Sequence, residues 1–269
     1  MKQFKRDEKQ NSTKIHLDKY YTSDDTAQYC INKTKEILSN EKVTEIIEPS
    51  AGSGSFSKKL KKCIAYDIEP EDDSIIKQDF LKLSLEYKKG RLFIGNPPFG
   101  ARNTLAVSFY KHCVEMGDYI AFILPISQYN NSQQMYEFDL IYSEDLGKIK
   151  YTDRDVHCCF NIYKRSINGL NKKIKKELNG VKIIESRLGK NRPEKYDYAI
   201  CAWGASIGKS IGDGNFAKEF YFLIDDEIKN KILELLKNVN WQTEYKMTTT
   251  PNLLQWQVIE YLSKNITSV

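Results

Sequence analysis

The sequence Asn96-Pro97-Pro98-Phe99 is the stretch whose residue types point most directly to chemistry. It follows the apolar run 92–95, which has the length and composition of a buried strand. Each proline fixes its own φ angle and lacks an N–H donor, and the residue before a proline is driven to extended geometry. The result is a stiff elbow that holds the Asn96 carboxamide beside the Pro97 carbonyl. Two such oxygens can accept both hydrogens of one planar amino group, although a plain Pro-Pro turn is the alternative at this point.

A glycine-containing loop lies upstream, with the pattern Glu-Pro-x-Ala-Gly-x-Gly-x-Phe over residues 48–56. It separates an apolar run at 44–47 from the basic stretch 58–62, which predicts a helix. Glycines let the backbone approach a ligand closely, and a helix N-terminus favours anionic groups. A dinucleotide-binding loop is the first rival, but its fingerprint requires a third glycine or an alanine where this chain has Ser57.

Two acidic residues follow, each at the end of a short apolar run. Asp67 closes the run 64–66, and Asp79 comes at the end of the run that begins at 75. An acid at a strand end beside a glycine loop is a common way to bind the hydroxyls of a ribose. Either acid alone could equally be a solvated strand end.

The elements that would position these residues alternate between strands and helices, which predicts an α/β fold with a parallel-type sheet covered on both faces. Helices are expected at 23–38, 103–116 and 132–142, and strands at 44–47, 64–67, 75–81, 92–95 and 119–125. Two further strands, at 148–151 and 157–163, are close enough to pair.

The composition shifts after residue 164, and residues 166–269 are predicted to form a smaller α+β module, here called the second module. It is expected to contain a helical spacer at 172–176, strands at 181–187, 196–202 and 219–224, and helices at 226–237 and 252–263. Thr250 and Pro251 are predicted to open the last helix, as cap and first helical residue.

The composition excludes several classes of protein. With 269 residues, 41% hydrophobic and 29% charged, the chain is globular rather than disordered, and its net charge of +5 is compatible with a polyanionic partner. The apolar run 119–126 is too short to span a bilayer, and the N-terminus has no signal-peptide core. The six cysteines form no Cys-x-x-Cys pair and the three histidines no metal-ligand spacing, so we expect no metal and reduced thiols in a cytoplasmic protein.

Taken together and in this order, these features resemble the S-adenosylmethionine-dependent amino methyltransferases. A Tyr-Thr pair at 21–22 comes first, then the 48–56 loop, the two acids and Asn-Pro-Pro-Phe, an order most similar to that of N6-adenine DNA methyltransferases of the gamma group. The resemblance covers about 19–165. It implies a Rossmann-like methyltransferase fold, with a seven-stranded, mostly parallel sheet and an antiparallel last strand, in a catalytic domain at 15–165.

Position by position, the resemblance implies that the loop and the Tyr-Thr pair hold the methionine part of S-adenosylmethionine. Asp67 would accept the ribose hydroxyls, and Asp79 the adenine amino group, with Phe80 beside the ring. The implied cofactor-binding set is Tyr21, Thr22, Glu48, Pro49, Ser50, Ala51, Gly52, Gly54, Phe56, Asp67, Ile68, Asp79, Phe80 and Asn96.

The implied reaction is methyl transfer to the N6 amino group of adenine in DNA, with Asn96, Pro97, Pro98 and Phe99 as the catalytic set. The Asn96 side-chain oxygen and the Pro97 carbonyl would accept the two amino hydrogens, and Phe99 would stack on the target ring. Three alternatives stay open: an RNA adenine or guanine amino methyltransferase, a protein glutamine methyltransferase, and a catalytically silent binding subunit.

The second module is expected to face the target. Candidate phosphate contacts are Lys209, which lies in a loop one residue short of a P-loop, Arg187 and Arg192. Trp203 is expected to lie in the core rather than to stack on a base.

Overall fold

A computed structural model describes residues 22–151, 155–212, 214, 216–247 and 251–266. Seven strands form one sheet in the order β3-β2-β1-β4-β5-β7-β6, in which β7 runs antiparallel to both of its neighbours. This arrangement confirms the predicted fold class. The strands are β1 Glu45–Glu48, β2 Cys63–Asp67, β3 Ile76–Lys77, β4 Arg91–Gly95, β5 Tyr119–Pro125, β6 Asp139–Lys150 and β7 Asp155–Lys164.

The centre of the sheet forms because β4 and β5 are apolar along almost their whole length. Every residue of β4 is buried, as are six of the seven residues of β5, and this is the pattern of parallel strands covered on both faces. Helices α1 Asp24–Ile37 and α2 Thr104–Met116 pack against this core. Ser23 caps α1 by accepting the Thr26 N–H at 3.3 Å, as the sequence predicts.

The second module contains a separate three-stranded antiparallel sheet in the order β8-β10-β9. Its apolar residues form their own core, built around Phe220, Phe222 and Trp241. The elements are β8 Val181–Arg187, β9 Tyr198–Cys201, β10 Lys218–Ile224, α3 Lys229–Asn238, α4 Trp241–Glu244 and α5 Gln255–Ile266.

Six predicted elements differ from the structure, and one of them, the predicted strand 148–151, is the end of the much longer β6. The basic stretch 58–62 forms a 3₁₀ turn at Ser57–Lys59 instead of a helix, and the predicted third strand shrinks to Ile76–Lys77. The predicted helix 132–142 is absent, and its last residues belong to β6. The spacer 172–176 is not helical, and α5 begins at Gln255, beyond Pro251. Thr250 lies outside the described residues.

The described residues contain no helix that is both long enough and apolar enough to cross a membrane. Among the same residues, no cluster of three or more histidine, cysteine or acidic side chains could hold a metal ion. All six cysteines are described, and all are free thiols.

Candidate active site

The site lies where the strand order of the sheet reverses. Strands β1 and β4 are parallel neighbours, and the chain winds outward from them in opposite directions. The loops that follow two such strands leave a crevice between them, which is where open α/β sheets bind ligands. The 48–56 loop follows β1 and Asn96 follows β4, and the Ser50 hydroxyl lies 3.4 Å from the Asn96 carbonyl oxygen. The sheet therefore brings the two sequence motifs together.

The glycine loop is held in shape by a buried carboxyl group. Glu48 is 2% exposed, and its Oε2 accepts the Ser57 N–H at 2.7 Å, which closes the loop on itself. Burial raises the pKa of Glu48 to about 7, in spite of the backbone hydrogen bonds that lower it. Gly52 and Gly54 have φ angles of 54° and 86°, a region where a side chain would be strained. Glu48 thus supports the loop from inside.

Asp67 lies at the carboxyl end of β2 and faces the loop. Its Oδ2 accepts the Gly52 N–H at 2.7 Å, and its Oδ1 accepts the Glu69 N–H at 2.8 Å. Each carboxylate oxygen has a further lone pair for an outside donor. The next residue, Ile68, is 46% exposed and offers an apolar surface beside the carboxylate. The pair therefore presents polar acceptors next to an apolar surface at the mouth of the crevice.

Asp79 and Phe80 differ in how accessible they are. Asp79 opens a 3₁₀ turn, where its Oδ1 accepts the Leu81 N–H at 3.1 Å. Phe80 is 2% exposed, and its ring stacks on Phe109 with the ring centroids 5.6 Å apart. Phe80 thus packs in the core among aromatic neighbours, and its place beside a cofactor ring stays a prediction. Asp79 stays a candidate acceptor.

Asn96 is held by two hydroxyl groups. Its Nδ2 donates to Thr22 Oγ1 at 3.1 Å and to the Tyr151 hydroxyl at 3.3 Å. The Tyr151 hydroxyl lies 3.6 Å from Cys158 Sγ. Burial raises the pKa of Tyr151 above its usual value and that of the Cys158 thiol to about 11, so both groups stay protonated at neutral pH. The Asn96 amide is therefore fixed in orientation by neutral partners.

Thr22 also connects the two motifs. Its side chain accepts from Asn96, and its backbone carbonyl accepts the Ser55 hydroxyl at 2.9 Å. The glycine loop and the Asn96 elbow thus share Thr22 as a neighbour, and its role in holding the cofactor stays a prediction. Tyr21 lies outside the described residues.

The chain after Asn96 is tightly turned. Phe99 is 5% exposed, so the predicted stacking on a target ring requires this side chain to be uncovered. Gly100, Arg102 and Asn103 all have positive φ angles, of 66°, 54° and 65°. A Cβ on Gly100 would approach Leu105 Cγ to 2.7 Å, so only glycine fits there. Such backbone strain concentrates at functional sites.

The predicted phosphate contacts in the second module have different surroundings. Lys209 is exposed, and Arg187 is exposed and paired with Glu185 at 2.6 Å. Arg192 forms two hydrogen bonds to Glu219, a carboxylate that is fully buried. Removing this cation would leave a buried charge unpaired, so we assign Arg192 a structural role. Trp203, expected in the core, is 41% exposed.

Tyr151 is the contributor to the site that the sequence does not predict. It directly follows β6, whose ladder with β7 ends where Lys150 lies opposite Asp155, and from there its hydroxyl reaches Asn96. No local pattern marks this contact, since it depends on the register of two strands.

Two clefts of about 410 and 480 Å³ lie in the second module, and their linings include neither the glycine loop nor Asn96.

Some solved structures of other proteins are similar to part of this chain. No protein-family model matches the chain, and no curated protein matches it. A proposed RNA methyltransferase of Pyrococcus horikoshii, PH1948, is 14% identical, with a TM-score of 0.45 over 56% of this chain and 88% of that one. Protein 1320 of Thermoplasma acidophilum is 18% identical, with a TM-score of 0.40 over 56% and 91%. The 23S rRNA methyltransferase ErmE is 13% identical, with a TM-score of 0.37 over 52% and 70%.

Proposed function

We propose that this protein is an S-adenosylmethionine-dependent methyltransferase that acts on an exocyclic amino group of a nucleic-acid base. The observation that carries the proposal is the meeting of the glycine loop and Asn96 at the point where the strand order reverses. One loop offers open backbone for a cofactor, and the other presents a rigid carboxamide for an amino group. The two are adjacent, as direct transfer between two bound molecules requires.

The residues of the crevice fit this cofactor. Apart from Gly52 and its two chain neighbours, no atom of the described residues lies within 4 Å of where a Cβ on Gly52 would be, so a ligand can approach the backbone there. Asp67 would accept ribose hydroxyls, and the exposed Ile68 would cover one side of the adenine. Asp79 would accept the adenine amino group. When bound, the cofactor supplies a methyl group on a sulfonium sulfur, which is already a reactive donor.

The chain's own contribution to the reaction is orientation. The Asn96 side-chain oxygen and the Pro97 carbonyl would accept the two hydrogens of the target amino group. These two hydrogen bonds turn the nitrogen toward tetrahedral geometry, so that its lone pair faces the methyl group. Because Thr22 and Tyr151 fix the amide beforehand, little reorganisation is needed at the moment of transfer. The cation first formed by methyl transfer is acidic and would lose its extra proton to water, so no strong base is required.

The target is adenine N6 in DNA if the sequence resemblance extends to the substrate. RNA is the alternative, and the small second module favours it, because sequence-specific enzymes of the gamma group often carry larger recognition domains. A base in a duplex must also be extruded first, at a cost of a few kcal/mol, whereas an unpaired base needs no such step. Protein glutamine is the third substrate to be tested.

Parallel incubations test the proposal. The protein and labelled S-adenosylmethionine are incubated separately with duplex DNA, single-stranded DNA, ribosomal RNA and a glutamine-containing peptide. Mass spectrometry of the digested nucleosides then identifies the modified base. Methylation of adenine or guanine amino groups supports the proposal, label in the peptide alone selects the protein substrate, and no label in any sample rejects it.

Asp67→Ala should weaken binding of S-adenosylmethionine by about 1–3 kcal/mol, because it removes acceptors for the ribose and leaves the Gly52 N–H without its partner. Calorimetry of the wild type and the variant measures this difference. Asp72→Ala is the matched control, since Asp72 is an acid of the same region that pairs with the exposed Lys58. Equal affinities for wild type and Asp67→Ala would remove Asp67 from the cofactor site.

Lys209→Ala should weaken nucleic-acid binding to a similar extent on all sequences, because a phosphate contact carries little sequence information. The log–log salt slope should fall by about one unit, the amount for one phosphate on duplex DNA. Fluorescence anisotropy at several salt concentrations measures both. Lys175→Ala is the control, since Lys175 is an exposed lysine of the same module. A wild-type slope in Lys209→Ala would show that this loop does not touch the backbone.

A further inference from the structure

Lys246 connects the second module to the catalytic domain. It follows α4, and its Nζ lies 2.5 Å from Asp145 Oδ2 in β6. The same ammonium group lies 4.4 Å from the centroid of the Tyr129 ring, just beyond the carboxyl end of β5. The other oxygen of Asp145 lies 2.6 Å from His157 Nε2. One side chain of the second module therefore contacts two separate elements at the edge of the sheet that carries the site.

The backbone at Lys246 has a conformation that glycine adopts more easily than lysine. The Met247 N–H bonds to the Gln242 carbonyl and the Lys246 N–H to the Thr243 carbonyl, which is a Schellman turn at the end of α4. The residue in the left-handed position of such a turn is usually glycine. Here it is Lys246, with a φ of 46°. Lysine is strained at this position, and its contacts with Asp145 and Tyr129 are what its side chain adds there.

The backbone and side-chain hydrogen bonds around Asp145 hold its carboxylate in position. A β-bulge interrupts the pairing of β6 with β7 between Asp145 and Gly147. Gly147 has a φ of 72°, and its N–H bonds to Asp145 Oδ1 at 2.8 Å. Although burial raises the pKa of Asp145, hydrogen bonds from Lys246, Gly147 and His157 lower it to about 2. The carboxylate is therefore charged and held in position for Lys246.

The contact is linked to Asn96 through neighbouring residues. Gly147 in the bulge pairs with Cys158 across the β6–β7 ladder. The Cys158 thiol meets the Tyr151 hydroxyl, which in turn accepts from the Asn96 amide. Asp145, which pairs with Lys246, and Tyr151, which helps to orient Asn96, thus lie in the same stretch of chain, in β6 and directly after it.

We infer that Lys246 is a positioning residue that seats the second module on the active-site edge of the catalytic domain, so that the two together form the walls of the cleft for the target strand. This inference rests on the proposed function, because it assigns the module the task of presenting the nucleic acid. The contact orders one wall against the other before the target arrives, which lowers the cost of binding it.

Lys246→Gly tests the inference, since glycine suits the left-handed backbone while the bridge is lost. We expect the melting temperature to stay within about 2 °C of the wild type, or to rise. Hydrogen exchange should accelerate at the amides of Tyr129 and Gly147, because local opening there becomes easier. Lys246→Arg should restore the wild-type exchange. Lys229→Ala is the control, since Lys229 pairs only within its own module among the described residues.

Steady-state kinetics on the nucleic acid that the wild type methylates complete the test. For Lys246→Gly we expect the KM for that nucleic acid to rise about fivefold, within the range of coupling between contacting residues, while kcat stays within about twofold. Unchanged exchange at Tyr129 and Gly147 would overturn the seating, and faster exchange with an unchanged KM would overturn its role in target binding. If the wild type methylates no nucleic acid, the proposed function fails, and the exchange result decides the seating on its own.

Discussion

Asn96→Ala should lower the rate of methyl transfer by at least about 100-fold, the size of effect seen when one oriented polar contact to a reacting group is lost. Alanine removes the oxygen that would accept a hydrogen of the target amino group, so the nitrogen would keep its planar, unreactive geometry. The affinity for S-adenosylmethionine should stay nearly unchanged, because in the proposed reaction the Asn96 side chain contacts the target and not the cofactor. Single-turnover methylation and calorimetry measure the two quantities.

Tyr151→Phe provides a graded companion to this experiment. It keeps the ring and removes the hydroxyl that accepts from Asn96 Nδ2, so the carboxamide stays present and keeps its hydrogen bond to Thr22. We expect the rate of methyl transfer to fall about tenfold, less than for Asn96→Ala, because the orientation of the carboxamide is weakened rather than removed.

Near-wild-type turnover in Asn96→Ala, with folding checked by its melting curve, would show that Asn96 does not meet the reacting group.

The central sheet could be predicted because its strands are marked locally. Strands β4 and β5 are continuous apolar runs, and the residues that end or follow β1, β2 and β4 are polar. The carboxyl ends of parallel strands lie at the same edge of a sheet. Residues that end successive strands are therefore close together in space. The loop at 48–56, Asp67 and Asn96 are therefore found at one edge of the sheet without any knowledge of distant contacts.

The predicted helix at 132–142 is wrong because β6 is an edge strand. β6 is the outermost strand of the sheet, and none of its first nine residues is fully buried. An edge strand of this kind lacks the apolar run that marks β5, so the sequence wrongly predicts a helix at 132–142. The contact of Tyr151 with Asn96 cannot be predicted locally either, because Tyr151 follows β6 and lies 55 residues from Asn96 in the sequence.

Partners that are distant in sequence also determine which charged side chains remain available to bind a ligand. Arg192 is a residue type that often contacts phosphate, but here it is paired with the buried Glu219, 27 residues away in sequence. Lys176 belongs to a run that predicts a helical face, yet it pairs with Glu260 in α5. A charge pattern therefore predicts that a face is basic but not which cations remain available, and Lys209 and Arg192 show the two outcomes.

Glu48 gives the second large effect, on the stability of the protein. Its pKa is raised from 4.5 to about 7, so the folded state holds this proton more tightly than the unfolded chain does. The stabilisation from the bound proton is fully present below about pH 4.5 and is lost as the pH rises to about 7. Each pH unit between these two pKa values corresponds to about 1.4 kcal/mol, so the free energy of unfolding falls by about 3 kcal/mol.

Glu48→Gln isolates this effect, because glutamine stays neutral at every pH and its amide oxygen can still accept the Ser57 N–H. The free energy of unfolding of the wild type, relative to the variant, should therefore fall between about pH 4.5 and pH 7 and become constant above that. Urea unfolding of both proteins at a series of pH values gives this difference directly, because other titrating groups contribute equally to both. A difference that does not change with pH would mean that Glu48 is ionised in the folded protein and that the glycine loop is supported by a charge.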